Sequence, residues 1–119
     1  MATEFSATDE QIDDTTHVVA VTGEVDIFTA PEFKSRINDA IEDGRDLVIV
    51  DLSGATFIDS SSLGVLIGAH RRLKGHGGAL IVVCENEAIV KTFKITGLDG
   101  VFTLVASLPE ALDGDAVGA

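Results

Sequence analysis

Residues 47–68, LVIVDLSGATFIDSSSLGVLIG, decide the fold of this chain. Residues 47–50 form a continuous apolar run, which is typical of a strand in a sheet that is covered on both faces. Asp59 and three serines follow, and they open an apolar pattern with helical spacing. A buried strand that leads directly into a helix predicts α/β architecture.

The rest of the chain repeats this alternation of strand and helix. Further strands are predicted at residues 17–22, 79–83 and 101–105, with a weak edge strand at 4–8. Helices are predicted to begin at Thr29, near Ser60, at Asn86 and near Ser107. We therefore expect one α/β domain over residues 1–119. Its sheet is mixed and mostly parallel, with four to five strands and about four helices, and residues 113–119 form a flexible acidic tail.

Composition narrows the class of protein. Hydrophobic residues make up 45% of the chain and the mean hydropathy is +0.32, which excludes a disordered chain. The net charge of −12 argues against nucleic acid as a partner. No apolar run approaches the ~20 residues that span a membrane, so no membrane association is expected. The absence of a signal-peptide pattern and the single Cys84 favour a cytoplasmic protein.

The serines at 60–62 lie where a helix begins. Free backbone N–H groups and the helix dipole favour negative charge at such a position. Either a phosphate is bound there or a serine carries one. The structural alternative is a helix cap, which contributes ~1 kcal/mol and is favoured on composition alone.

The helix that follows has two different faces. The core-facing stripe is predicted to contain Leu63, Leu66, Ile67, His70 and Leu73. The opposite face is predicted to contain Ser61, Gly64, Val65, Gly68, Arg71 and Arg72. A glycine inside a helix costs up to ~1 kcal/mol relative to alanine, and is tolerated where another backbone comes close. That backbone belongs either to an adjacent loop or to a docked protein, and an exposed Val65 favours docking.

Asp26 follows the strand at 17–22 through the segment Gly23-Glu24-Val25. Sites in open α/β sheets assemble at the carboxyl ends of parallel strands. If the strand at 47–51 is its parallel neighbour, Asp26 approaches the serines and accepts a hydrogen bond from one of them. A turn or helix-capping role is the alternative, and for an isolated aspartate it is favoured.

Three motifs in this order carry a family resemblance: TGEVD at 22–26, VIVDLS at 48–53 and FIDSSSLG at 57–64. Gly77-Gly78 before a strand and FKITGL at 93–98 add to it. Over most of its length the chain resembles the anti-sigma factor antagonists of the STAS domain family. The resemblance therefore implies a single STAS-like domain.

The resemblance also implies roles for individual residues. In that family the serine directly after the motif aspartate is phosphorylated, which here is Ser60 after Asp59. Ser61 matches a supporting position, and Asp26 matches the aspartate near the phosphorylated serine. The family usually has glycine where this chain has Ser62, which leaves a second candidate acceptor. Together with Ser62, the residues Gly64, Val65 and Gly68 are expected to bind the partner.

A partner switch is the function that the resemblance implies. The unphosphorylated protein would bind an anti-sigma factor with serine-kinase activity, and the sigma factor would be released to act in transcription. The kinase would inactivate the protein with ATP, and a serine phosphatase would restore it. A scaffold in a stress-signalling assembly is the alternative within the family.

Two other classes are weakly supported. A serine hydrolase usually needs a turn such as G-x-S-x-G and a base near the nucleophile, and Ser60 has neither in its sequence surroundings. The sequence lacks the glycine-rich phosphate-binding motifs of a nucleotide-binding module. The three histidines and Cys84 also lack metal-ligand spacing, so we expect no enzyme activity, no metal and no cofactor.

Overall fold

The computed structural model describes residues 4–44 and 46–112. The predicted tail at 113–119 lies outside the described residues. The strands are β1 (Ser6–Gln11), β2 (Thr16–Val25), β3 (Leu47–Ile58), β4 (Ala79–Val83) and β5 (Thr103–Val105). The helices are α1 (Ala30–Glu42), α2 (Ser60–Gly75), α3 (Glu87–Ile95) and α4 (Leu108–Leu112), with a 3₁₀ turn at Leu98–Gly100.

The five strands form one sheet in sequential order, β1-β2-β3-β4-β5. β1 is antiparallel to β2, and every later pair is parallel. Crossovers between parallel strands are right-handed as a rule, so connections that all step in one direction lie on the same face of the sheet. The predicted mixed, mostly parallel sheet with an antiparallel edge and four helices is therefore confirmed.

The core has two layers because side chains alternate along each strand. Val19, Val48 and Val50 point toward α1, α2 and α3, where they pack with side chains such as Phe33 and Phe93. A smaller cluster on the other face joins strand residues to Ala111 of α4. Its buried members on the strands are Val18, Ile49, Ile81 and Val83. Sequential topology thus places three helices, including α2, on one side.

Strands β2 and β3 are longer than predicted. Gly23 was expected to end its strand, but it adopts φ +84° and the strand continues to Val25. The pairing shifts register between Ala20 and Thr22 and again between Gly23 and Glu24. Such irregularities let a strand continue past a glycine, so the sequence pattern indicated an end that the backbone does not have.

The last strand is shorter than predicted, and it begins at Thr103 rather than 101. The 3₁₀ turn at Leu98–Gly100 precedes it. Phe102 lies before the paired residues of β5 and is buried on the helical side of the sheet. The first strand is displaced as well, since it covers Ser6–Gln11 rather than 4–8. Its polar sequence gave little period-two signal to place it.

Candidate functional site

The carboxyl ends of β2 and β3 lie side by side. Val25 is the register partner of Ile58, so the chain leaves the sheet at adjacent points, through Asp26 and Asp59. The first exit leads into α1 and the second into α2. The extensions of β2 and β3 therefore bring the two predicted acidic residues to the same edge of the sheet.

A capping box fixes the start of α2. Asp59 is the N-cap, and its Oδ1 accepts a hydrogen bond from the Ser62 backbone N–H at 3.2 Å. The Asp59 N–H donates in return to Ser62 Oγ at 3.3 Å. Both groups are otherwise unsatisfied at a helix origin, so this reciprocal pair holds the first turn in place.

Ser62 is an internal residue of the site. Its side chain is 1% exposed, and its Oγ donates to the Val25 carbonyl at 2.7 Å. The prediction that Ser62 belongs to a partner-binding surface, or is a second phosphate acceptor, is wrong because neither a partner nor a kinase reaches a buried hydroxyl. The hydroxyl instead ties the origin of α2 to the end of β2.

Ser60 and Ser61 are placed differently. Ser60, the first residue of α2, is exposed, and Ser61 is half-buried. Neither hydroxyl makes a hydrogen bond with any other described residue. Backbone N–H groups in a first helical turn lack an intrahelical acceptor, so the surroundings of Ser60 favour negative charge.

Asp26 holds a turn in the structure. Its Oδ1 accepts from the backbone N–H groups of Phe28 at 2.9 Å and Thr29 at 3.1 Å. Every hydrogen bond that the structure gives this carboxylate goes to those two residues, including one from Thr29 Oγ1 at 3.3 Å. The expected hydrogen bond from a serine hydroxyl is therefore absent among the described residues, and the turn-forming alternative is correct.

The sequence reasoning missed the two residues that this turn presents. Ile27 is 66% exposed and Phe28 is 88% exposed, beside the end of β3. Contiguous exposed apolar side chains are typical of surfaces that contact another molecule. The sequence feature that indicated an exposed loop here was their position between the end of a strand and the helix start at Thr29.

Gly64 and Gly68, in the interior of α2, have no internal neighbour. An added Cβ at Gly64 or at Gly68 would meet nothing within 4 Å. Tight packing against a loop, one of the two explanations of these glycines, is therefore excluded. Both residues are exposed, and they lie one turn apart on the outer face of the helix.

These glycines line a groove of about 710 Å³ between α1 and α2. Predicted outer-face residues of α2 meet two residues of α1 there. The lining comprises Lys34, Asn38, Ser61, Gly64, Val65, Gly68, Ala69, Arg71 and Arg72. The predicted face is thus one continuous surface, and its role in partner binding stays a prediction.

The inner face of α2 differs from the prediction at several positions. Ala69 is buried, whereas Ile67 and His70 are only half-buried. Val65 is also half-buried and packs against the core, so it is less exposed than expected. The core-facing stripe is therefore shifted, with Ala69 rather than His70 at a buried position.

His17, His70 and Cys84 are engaged away from Ser60. His17 Nε2 lies 3.5 Å from Asp9 Oδ1 on β1, and the His70 ring packs edge-on against Phe102. Burial lowers the pKa of His70, and nearby Lys74 lowers it further. Burial also raises the pKa of the Cys84 thiol, which is 4% exposed.

Residues 4–44 and 46–112 contain no group of three or more His, Cys, Asp or Glu side chains placed to hold a metal ion. No helix in that part of the chain is both long and apolar enough to cross a membrane.

A sequentially ordered mixed sheet, three helices on one face and a serine at the exposed origin of the second helix define a small α/β domain of the STAS type. The family model described as STAS domain matches residues 7–111. The chain belongs to the STAS domain family.

Three relatives show how the chain compares with known members. It is 33% identical over 88 residues to an anti-sigma-B factor antagonist of Bacillus subtilis, covering 74% of this chain and 80% of the relative. An anti-sigma factor antagonist from Mycobacterium paratuberculosis has 31% identity and a TM-score of 0.86, covering 93% of both chains. The phosphorylated form of the Bacillus cell fate determinant SpoIIAA has 27% identity and a TM-score of 0.73. That match covers 91% of this chain and 97% of SpoIIAA.

Proposed function

We propose that this protein is an anti-sigma factor antagonist whose binding is controlled by phosphorylation of Ser60. The unphosphorylated form binds an anti-sigma factor, and the sigma factor is thereby released. The observation that carries the proposal is the exposed, unbonded Ser60 hydroxyl at the origin of α2. The names of the relatives supply the class of partner.

Two groups of residues form the proposed partner-binding surface around Ser60. Ile27 and Phe28 provide exposed apolar side chains on the neighbouring loop. Gly64 and Gly68 leave the α2 backbone open to a second backbone. Aromatic residues, Phe among them, are enriched in the core that a protein interface buries.

Phosphorylation of Ser60 changes this surface without changing the fold. A phosphoryl group adds about −1.5 to −2 charges at neutral pH. The Ser60 hydroxyl makes no hydrogen bond to another described residue, whereas the capping box is formed by Ser62 and Asp59. The first turn of α2 therefore survives, and its free N–H groups stabilise the phosphate in place.

Loss of partner binding follows from electrostatics and desolvation. Asp59 is adjacent to Ser60, and the doubly charged group would have to be buried beneath a partner. A cost of about 3–4 kcal/mol at such a contact weakens binding by two to three orders of magnitude. Asp26 acts indirectly, because its turn positions Phe28.

The enzymes that set the phosphorylation state complete the proposal. The anti-sigma factor acts as the serine kinase and uses ATP, and a separate serine phosphatase restores the hydroxyl. Half-buried Ser61 supports the acceptor position from the next residue. All these proteins would meet in the cytoplasm.

Mass spectrometry after incubation with the anti-sigma factor, Mg²⁺ and ATP tests the acceptor assignment. We expect one added phosphoryl group, localised to Ser60, in the wild-type protein and in Ser61→Ala. We expect none in Ser60→Ala, which should keep binding the anti-sigma factor after the incubation. Stoichiometric phosphorylation of Ser60→Ala would show that another residue is the acceptor.

A further inference from the structure

The groove between α1 and α2 is positively charged in an otherwise acidic protein. The chain has 20 acidic and 8 basic residues, yet three of those 8 line this groove: Lys34, Arg71 and Arg72. No Asp or Glu lines it, and the sequence of α2 contains none. The groove therefore has the opposite charge to the protein as a whole.

Two of the three cations are free to bind a ligand. The Arg72 guanidinium donates through Nη1 to Asn38 Oδ1 at 2.8 Å, which joins α2 to α1 across the groove. Lys34 and Arg71 are exposed, and neither has a hydrogen-bond or ion-pair partner within residues 4–44 and 46–112. Arg72 thus forms part of the groove wall, whereas Lys34 and Arg71 face solvent.

The floor of the groove suits a polypeptide. Gly64 and Gly68 carry no side chain, and the space above them is empty to at least 4 Å. A segment of another protein can therefore bring its backbone close to α2. A groove of about 710 Å³ is large enough for several side chains of such a segment.

We infer that this groove binds an acidic segment of the anti-sigma factor, with carboxylates of the segment paired to Lys34 and Arg71. The identity of the partner rests on the proposed function, whereas the acidic character of the segment rests on the groove itself. The net charge of −12 does not oppose this contact strongly, since charges more than about 10 Å away are screened at 0.1 M salt.

The same charge pattern accounts for the sign of the switch. Ser61 lines the groove, and Ser60 precedes it at the helix origin. A phosphoryl group on Ser60 places negative charge at the mouth of a groove that holds carboxylates. The acidic segment is then repelled at the point where it enters.

Charge-neutralising variants test the inference. Lys34→Gln, Arg71→Gln and the double variant are compared with Lys91→Gln and Lys94→Gln, which change exposed lysines of α3 outside the groove. Affinity for the anti-sigma factor is measured by calorimetry at 50 and 200 mM NaCl. Each groove variant should bind about fivefold more weakly, which corresponds to ~1 kcal/mol per ion pair. The double variant should also show a weaker salt dependence than the wild type.

The outcomes separate this inference from the proposed function. If wild type binds the anti-sigma factor but the groove variants match the α3 controls, the groove inference fails and the proposed function stands. If wild type does not bind at all, the proposed function fails.

Nuclear magnetic resonance titrations provide a second readout. Overlapping acidic peptides of the anti-sigma factor should shift amide signals of Gly64, Gly68 and Arg71. Shifts with inorganic phosphate or ATP but not with those peptides would assign the groove to a small anion and overturn the inference.

Discussion

Substituting Gly64 and Gly68 of α2 separates their effect on stability from their effect on binding. In Gly64→Ala and Gly68→Ala, the added Cβ meets nothing within 4 Å, so no steric cost arises inside the protein. Alanine favours a helix interior by about 0.8–1 kcal/mol over glycine. Each variant should therefore be more stable than wild type, with a melting temperature about 3–6 °C higher.

Binding should change in the opposite direction. A partner backbone that lies against Gly64 and Gly68 would be displaced by a methyl group at either position. We expect each variant to bind the anti-sigma factor at least about tenfold more weakly, a loss of ~1.4 kcal/mol. The double variant should combine the gains in stability and the losses in affinity, although the residues are close enough to couple.

Two matched alanine variants serve as controls. Gly75→Ala lies at the end of α2 outside the groove, also has open space around it, and should leave binding unchanged. Gly54→Ala should destabilise the fold, because its Cβ would lie 2.6 Å from Thr22 Cγ2 and 3.2 Å from the Val21 carbonyl.

Urea unfolding and calorimetry give the two quantities for every variant. If Gly64→Ala were less stable than wild type, the conclusion that this face of α2 is open would be wrong. A more stable variant with unchanged affinity would refute the docking role of the glycines.

Three further outcomes follow from the described contacts. Ser62→Ala should lower the free energy of unfolding by about 1–3 kcal/mol, because the buried Val25 carbonyl loses its donor; an unchanged urea midpoint would contradict this. The pKa of His70 is lowered in the fold, so the unfolded chain binds its proton more readily. Stability should thus fall as pH drops below about 6.5, and His70→Gln should show a smaller loss between pH 7.5 and 5.5 in urea titrations. Cys84 is buried with a raised pKa, so a thiol reagent at pH 8 should modify it far more slowly in buffer than in urea; equal rates would place it at the surface.

The parallel part of the fold was predictable because its strands are continuous apolar runs. The pattern at 79–83 matches β4, and the run at 47–50 marks where β3 begins. Helix starts were also well indicated: Asn86 caps α3 by accepting hydrogen bonds from two backbone N–H groups. These signals are local, so one sequence contains them in full.

The features that the sequence did not reveal depend on tertiary contacts. The serines at 60–62 look alike in the sequence, and only the distance from Ser62 Oγ to the Val25 carbonyl separates a buried hydroxyl from an exposed one. The extension of β2 past Gly23 depends on pairing with β3, which no local pattern encodes. The cationic groove required α1 and α2 to be side by side, because Lys34 is distant in sequence from Arg71.

The affinity of the purified protein for the anti-sigma factor, measured with and without one phosphoryl group on Ser60, tests the central claim most directly. The account predicts a dissociation constant that rises by two to three orders of magnitude on phosphorylation. It also predicts an amide spectrum that changes only around the origin of α2 and the loop carrying Phe28. Equal affinity of the two forms, with Ser60 fully phosphorylated, would contradict the account.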